Sequence, residues 1–407
     1  MSSSMGSVVI FAKTPHHRTP YDQWLAGSGI EPLILTTRDY EEGYRRHLPH
    51  AHVYGFDDYD VNQLVEKTAL RLARAHGARA VFARAEADVL RAAQLRDLLD
   101  LPGQRAESAL AFRDKVLMKD HLAAVHAPGP VGLPAYRLLD SAYTAVEFAE
   151  AHGYPVVIKP VSESGSLGAR IIHSERELDR YLASPWRGAS EIESFVPGQM
   201  YHVDGLVLHG QLVLAHPYRY LNDCLSFRSN DWVANIPLSP QDPRYRPLVD
   251  AAAAVLGTLP TPANTAFHCE LWITPEDRVV FCEIASRTGG GVMGSVVRHS
   301  FGVDPDKEWL YAECGLPPSV TDHRYTPVGG LCIPPSNGTL ISLPEGGEPE
   351  CVREASLTGR VGEVFQGGVK SGLYLAGYVV DGATEDDVEA NVEKVAAWFA
   401  GATGWRR

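Results

Sequence analysis

No CxxC pair occurs among the six cysteines of this 407-residue chain, Cys224, Cys269, Cys282, Cys314, Cys332 and Cys351. The chain therefore offers no zinc-site spacing, and apolar neighbours such as those in Val-Val-Phe-Cys282-Glu point to buried, reduced thiols. No run is long and apolar enough to cross a bilayer. The opening residues, Met-Ser-Ser-Ser-Met-Gly-Ser-Val-Val-Ile-Phe, lack the basic region and apolar stretch of a signal peptide and read as a first strand, so a cytoplasmic protein is expected. Cations are in deficit: 37 Lys and Arg stand against 50 Asp and Glu, a net charge of −13. That balance argues against a broad nucleic-acid surface but permits a local cluster of lysines around a triphosphate. There is no GxGxxG, no internal repeat and no low-complexity tract. No Ser–His–Asp or Cys–His arrangement is evident, so a covalent nucleophile has no basis here.

What is present is an ordinary globular composition, 45% hydrophobic with 9% aromatics. A core of this size needs no disulfide staples, and the length suggests roughly two to four domains. From Val8 to about Arg105, strand-like runs (Val8–Phe11, Pro32–Thr36, His52–Tyr54, Ala80–Ala83) alternate with helical ones (Tyr21–Ala26, Val61–His76, Ala87–Leu99). The alternation predicts a parallel α/β sheet. A helix is expected over Asp114–His126, ended by Pro128-Gly-Pro130. Val156–Lys159 and Ala169–His173 read as a hairpin with a flexible tip. Glu191–Val196, Tyr201–Leu208 and Gln211–His216 read as successive antiparallel strands. A helix at Arg246–Leu256 precedes a hairpin of Phe267–Ile273 and Val279–Ile284. Gly329–Ile333 and Leu373–Val380 are strand-like, and Glu385–Ala400 is the last helix. These runs divide the chain into an α/β piece (1–105), a small lobe with its linker helix (106–190), a central piece (191–310) and a C-terminal subdomain (311–407).

Four segments carry chemistry. In Val156-Val-Ile-Lys-Pro-Val-Ser-Glu-Ser-Gly-Ser-Leu-Gly168, a strand delivers Lys159 to the edge of a Gly/Ser loop. Gly165 and Gly168 permit close backbone approach, and the backbone N–H groups with the Ser164 and Ser166 hydroxyls can cradle phosphate oxygens. A bare surface hairpin is the alternative. In Arg113-Asp-Lys115, a lysine at a helix start can meet an anion, or simply be solvated. In the hairpin from Phe267 to Gly291, Glu270 and Glu283 fall at facing ends of two apolar strands. Paired carboxylates there are costly unless partnered, and hard oxygen ligands suit Mg²⁺. Arg287 can stabilise a transferring phosphoryl group, and the Gly289–Gly291 backbone, centred on Gly290, can bind an oxyanion. An ion pair in an antiparallel sheet is the plainer reading. In Glu191-Ile-Glu-Ser-Phe-Val-Pro-Gly-Gln-Met-Tyr-His-Val-Asp204, the Ser194–Val196 backbone can meet an adenine edge. His202 and Asp204 share a strand face by period two; a lone histidine is by default a satisfied core residue. Arg219, Arg228 and Arg298 are candidate carboxylate anchors, with a surface or structural role the equal alternative for each.

The order of these pieces resembles the ATP-grasp superfamily, in particular carboxylate–amine ligases related to the L-amino-acid (dipeptide) ligases and biotin carboxylase. The likeness spans nearly the whole chain. It rests on Arg-Asp-Lys (113–115), Val-Ile-Lys-Pro (157–160), the Ser/Gly loop, Glu-Ser-Phe-Val-Pro-Gly (193–198), Tyr-His-Val-Asp-Gly (201–205), and Glu270 and Glu283 with Arg287. The resemblance implies an α/β (α+β) ATP-grasp fold with an N-terminal parallel pre-grasp domain and a small C-terminal subdomain. It implies ATP and Mg²⁺ or Mn²⁺, with Lys115 and Lys159 on the phosphates and residues 164–168 as the lid. It places Glu193 with Ser194–Val196 on adenine, His202 near the ribose, Glu270 and Glu283 on the metal, and Arg287 on an acyl phosphate. The partners implied are a small carboxylate and an amine, without nucleic acid or membrane; a homodimer is compatible. A small-molecule kinase or a weakly catalytic nucleotide-binding regulator would use the same ATP site. The chain departs from the family in two places. Ala285 stands where many members have Asn, a ligand of a second Mg²⁺. The usual ribose-binding acid near Met200 is absent, so either His202 or Asp204 substitutes or nothing does.

Overall fold

The computed structural model describes residues 6–407 apart from 126–128, 130, 186–187, 223, 230, 319–324, 369 and 372. The expected helix stop at Pro128-Gly-Pro130 and the end of that helix at His126 lie outside the described residues.

The N-terminal runs form the expected parallel sheet, in the order His52–Phe56, Ile30–Thr37, Gly6–Ala12, Ala78–Ala83. Val8 to Ala12 are fully buried, as strands covered on both faces must be. Alternate residues feed two cores. Val9, Phe11, Leu33, Leu35 and Val81 pack on the helices Leu64–His76 and Val89–Leu99. Val8, Ile10, Ile34 and Phe82 pack with Leu206, Leu208, Ala266, Trp309 and Leu310, joining this domain to the central sheet.

A second sheet forms a small lobe. Its order is Tyr136–Leu139, Ser190–Ser194, Val156–Pro160, Arg170–Ile172, all antiparallel. Ile158, Ile172 and Ile192 meet Phe148 and Leu178 from the helices Ala142–His152 and Glu175–Leu182. The strand at 190–194 therefore does not continue into the series with 201–208, as the sequence suggested. It pairs inside the lobe, whose sheet extends past residue 190.

The third sheet has eight strands: Val279–Ala285, Thr265–Ile273, Gln199–Leu208, Gln211–Leu221, Val233–Pro237, Val328–Ile333, Ala376–Asp381 and Val352–Leu357. The last three come from the tail, so the C-terminal region builds onto the central sheet. The helix Tyr245–Thr258 lays Leu248, Ala251, Ala252 and Val255 against Phe267 and Phe281. The final helix, Glu385–Ala402, starts with a capping box between Thr384 and Asp387. It buries Val388, Val392, Val395 and Phe399, one helical stripe, against Leu331, Tyr378 and Val380. No helix among the described residues is long and apolar enough to cross a membrane.

Candidate active site

The site lies where the small lobe faces the central sheet. Glu270 and Glu283 are direct cross-strand partners on Thr265–Ile273 and Val279–Ala285. Each carboxylate is held from one side. Glu270 Oε1 accepts from the Tyr220 hydroxyl at 2.8 Å and lies 3.5 Å from His268 Nε2. Burial alone would raise the pKa of Glu270, but His268 and the Tyr220 hydrogen bond more than offset it and hold it at about 2. Glu283 Oε2 lies 3.1 Å from Lys115 Nζ. The other oxygen of each has no protein partner among the described residues, so the pair retains acceptors suited to a hard divalent cation.

Arg113-Asp114-Lys115 folds as a connector. Asp114 caps the helix Lys115–Val125 by accepting from Val116 N at 2.9 Å and Leu117 N at 3.0 Å. Lys115 also donates to Glu163 O at 2.8 Å, reaching the loop that follows Lys159. Arg113 pairs with Glu86 and bonds Ser162 O.

Lys159 ends a strand whose neighbour carries Glu191 and Glu193. Its Nζ lies 2.7 Å from Glu193, 3.5 Å from Glu191 and 3.7 Å from Cys282 Sγ on the strand that carries Glu283. Lys119, one turn beyond Lys115, completes the group at 2.8 Å from Glu191 and 3.2 Å from Glu193. Two lysines and two glutamates thus form a balanced buried cluster. Burial opposes the charge on Lys159, yet the surrounding carboxylates raise its pKa well above the usual lysine value. Lys119 and Glu191 carried no role in the sequence reading. Their signal was positional: Lys119 is four residues from Lys115 on a helix, and Glu191 shares the strand face of Glu193.

The Ser/Gly loop has left-handed backbone at Gly165, Ser166 and Gly168 (φ 64°, 57° and 77°). A Cβ at Gly168 would stand 2.8 Å from the Pro160 ring, so glycine is required there. Ser164 O accepts from Leu167 N within the loop. Two outside contacts hold it: Ser371 N donates to Gly165 O at 3.1 Å, and Arg228 donates to Ser166 O and Ala169 O. Beneath it is a cavity of about 850 Å³ lined by Ser162, Glu163, Ser166, Gly168, Arg170 and Arg228.

Arg287 pairs with Glu86, a residue no motif pointed to, and donates to Thr288 O at 2.8 Å. Burial would raise the pKa of Glu86, but Arg287 and Arg113 outweigh it and hold it at about 2. This carboxylate tethers the pre-grasp domain to both arginines. Gly289 can only be glycine, because a Cβ would lie 2.5 Å from Asp204 Oδ1. Gly290 is exposed and leads into the helix Met293–Phe301.

Two adenosine contacts implied by the resemblance are corrected. His202 is fully buried, with Nδ1 2.5 Å from Asp204 Oδ2 and Nε2 2.7 Å from Asn235 Oδ1. Both ring nitrogens are occupied, so it offers nothing to a ribose and is the satisfied core histidine. Asp204 is likewise engaged, by His202 and His268. The Ser194 N–H donates to Ala135 O at 2.9 Å within the lobe, leaving the stretch at Val196 as the available backbone. Of the candidate anchors, Arg219 pairs with Glu389, while Arg298 pairs with Glu354 and Asp304.

Residues 114–201 match the family described as carbamoyl-phosphate synthase L chain, ATP binding domain. The chain is 24% identical over 301 residues to the L-arginine-specific L-amino acid ligase of Bacillus subtilis, covering 71% of each. Its fold matches the L-amino acid ligase from Bacillus licheniformis with a TM-score of 0.79 at 15% identity, covering 100% of this chain and 99% of that one. It also matches the biotin carboxylase domain of the Hydrogenobacter thermophilus 2-oxoglutarate carboxylase, solved with MgADP and bicarbonate. There the TM-score is 0.70 at 16% identity, over 100% and 92% of the two chains.

Proposed function

We propose that this chain, an ATP-grasp protein of the carboxylate–amine ligase kind, activates an amino acid or similar small acid as an acyl phosphate and joins it to an amine, releasing ADP and phosphate. The observation that carries this reading is the in-register pair Glu270 and Glu283, met from the lobe side by Lys115 at 3.1 Å and flanked by Lys159. A carboxylate is a poor electrophile because oxide is a poor leaving group; phosphorylation makes phosphate the leaving group.

Lys115 and Lys159 are assigned to the phosphates of ATP, and the 164–168 loop to shielding them from water. Glu193 and the backbone at Val196 are assigned to the adenine end. Glu270 and Glu283 would hold Mg²⁺, which when bound neutralises charge on the phosphates. Arg287, oriented by Glu86, faces the acyl phosphate, and the Gly290 backbone steadies the oxyanion as the amine attacks. No covalent enzyme intermediate is needed. The amino-acid substrate is supported by the relative that is itself an L-amino acid ligase. A screen of amino acids and amines for phosphate release, with mass spectrometry of products, tests the reading. An amide accompanied by ADP and phosphate is expected. A phosphorylated product without free phosphate would replace it with a kinase.

A further inference from the structure

Three ligating side chains meet at one end of the pre-grasp sheet. Glu31 is the second residue of the strand Ile30–Thr37, His52 the first of His52–Phe56, and His76 the last of the helix Leu64–His76. Register brings them together. Leu33 pairs with His52 in the parallel ladder, so by period two Glu31, Leu33 and His52 point to one face of the sheet. Leu33 packs there with Val65, Leu72 and Ala73 of that helix, which therefore ends over the same face with His76. Gly77 stops the helix in left-handed backbone (φ 60°). Ser7, the ladder partner of Glu31, donates its hydroxyl to His76 O at 3.2 Å and holds that end in place.

His52 Nε2 lies 3.9 Å from Glu31 Oε1, and His76 Nδ1 lies 3.7 Å from Glu31 Oε2. The two imidazole rings are 4.1 Å apart between centres and tilted by 57°. One donor atom from each of the three residues lies within 4.8 Å of the other two. These separations are too long for hydrogen bonds, and among the described residues the three side chains have no other hydrogen-bond partner. They are close to what a shared ion needs: four-coordinate zinc, with bonds of about 2.0–2.2 Å, holds its donors about 3.3 Å apart. Small side-chain rotations close the difference. The side chains are 25–42% exposed, so an ion can reach them from solvent.

We propose that Glu31, His52 and His76 bind a divalent transition-metal ion, Zn²⁺ in the first instance, with water completing the shell. Two imidazoles and one carboxylate suit Zn²⁺ and select against Mg²⁺, which takes oxygen ligands. The site is separate from the pair Glu270 and Glu283. Glu31 and His52 stand at the starts of their parallel strands, whereas Glu86, which ties this domain to Arg287, follows the end of the parallel strand Ala78–Ala83. The ion thus sits at the opposite end of the sheet and takes no part in the reaction. It clamps the end of the helix Leu64–His76 to two neighbouring strands, a link that the three side chains alone make only through long contacts.

The test is calorimetric titration of the full chain with ZnCl₂, after removal of bound metal by a chelator and exchange into excess Mg²⁺ to compete at Glu270 and Glu283. One Zn²⁺ per chain is expected to bind with a Kd of about 10 µM or tighter. His52→Gln, His76→Gln and Glu31→Gln each remove one ligand and should weaken that event at least about tenfold. Glu283→Gln and His268→Gln, which alter the carboxylate pair and the buried cluster of His202, Asp204 and His268, should leave it within about twofold. Circular dichroism checks that each variant is folded, and three separate ligand variants keep the test open to refutation should one of them fail to fold. Weaker binding by the wild-type chain, a Kd unchanged in the folded ligand variants, or loss of the event in Glu283→Gln or His268→Gln instead, overturns the proposal.

Discussion

Replacing Glu191 by Gln keeps the volume of the side chain and removes one charge from the cluster of Lys119, Lys159, Glu191 and Glu193. Lys119 and Glu191 have no exposed side-chain surface, and the two contacts between them are 2.8 and 3.0 Å. With Glu191 neutral, two buried ammonium groups share the single carboxylate of Glu193, at 2.7 Å from Lys159 and 3.2 Å from Lys119. Removing one partner of a buried ion pair costs about 3–5 kcal/mol, because the remaining charge is left without compensation. Since Lys119 retains Glu193, the lower end applies, roughly 3 kcal/mol. In urea, with a slope of about 3 kcal/mol per molar, the unfolding midpoint should fall by about 1 M. Removing both members, as Lys119→Met with Glu191→Leu, leaves the pair of Lys159 and Glu193 and should recover most of the loss. A midpoint shift below about 0.2 M for Glu191→Gln would refute the claim that this cluster is a tightly coupled element under the lysine assigned to ATP.

Glu283→Gln is expected to reduce turnover at least about a hundredfold, since it weakens both the metal pair and the tie to Lys115; full activity in excess EDTA would contradict the metal assignment. Ala285 is buried and directly opposite His268, whose ring contacts Asp204 at 3.1 Å and Glu270 at 3.5 Å. Ala285→Asn should therefore crowd His268 and lower turnover by about tenfold at unchanged Mg²⁺ dependence. A lower half-saturating Mg²⁺ concentration at intact turnover would instead mean that a missing ligand has been restored. Burial disfavours charge on His268, but Asp204 and Glu270 outweigh it and lift its pKa from 6.5 to about 10. The folded pKa being the higher, this contribution is complete below pH 6.5 and is lost as pH rises toward 10, at up to about 1.4 kcal/mol per unit. Urea unfolding across that range should show the slope in the wild type and lose most of it in His268→Gln.

The parts of the site legible in the sequence are those fixed by local order. Lys159 precedes its loop directly, and Glu270 and Glu283 sit on two strands joined by a short turn, so their pairing follows from hairpin register. The rest depends on contacts between distant segments. Glu86 meets Arg287 only because the pre-grasp domain docks on the central sheet, at a separation of 201 residues. The strand at 190–194 was recognisable as extended, but its choice of sheet was not: apolar alternation does not say which edge a strand will join. The helix Arg38–His47 escaped notice because it buries only Tyr44 and so shows no apolar stripe. The tail strands were visible in part, yet their insertion into the eight-stranded sheet is set by long-range pairing. The default for a lone histidine, a satisfied core residue, describes His202, and it was the family resemblance that placed it near the ribose; a strand pattern gives a residue's face and not its neighbours.

The central claim is phosphoryl transfer to a carboxylate, and its most direct test is oxygen tracing. The acid substrate found in the product screen is labelled with ¹⁸O in its carboxylate and turned over with ATP and the amine. Passage through an acyl phosphate predicts one ¹⁸O in each released phosphate, with ADP formed in equal amount to amide. Release of AMP and pyrophosphate, with the label in AMP, would contradict it.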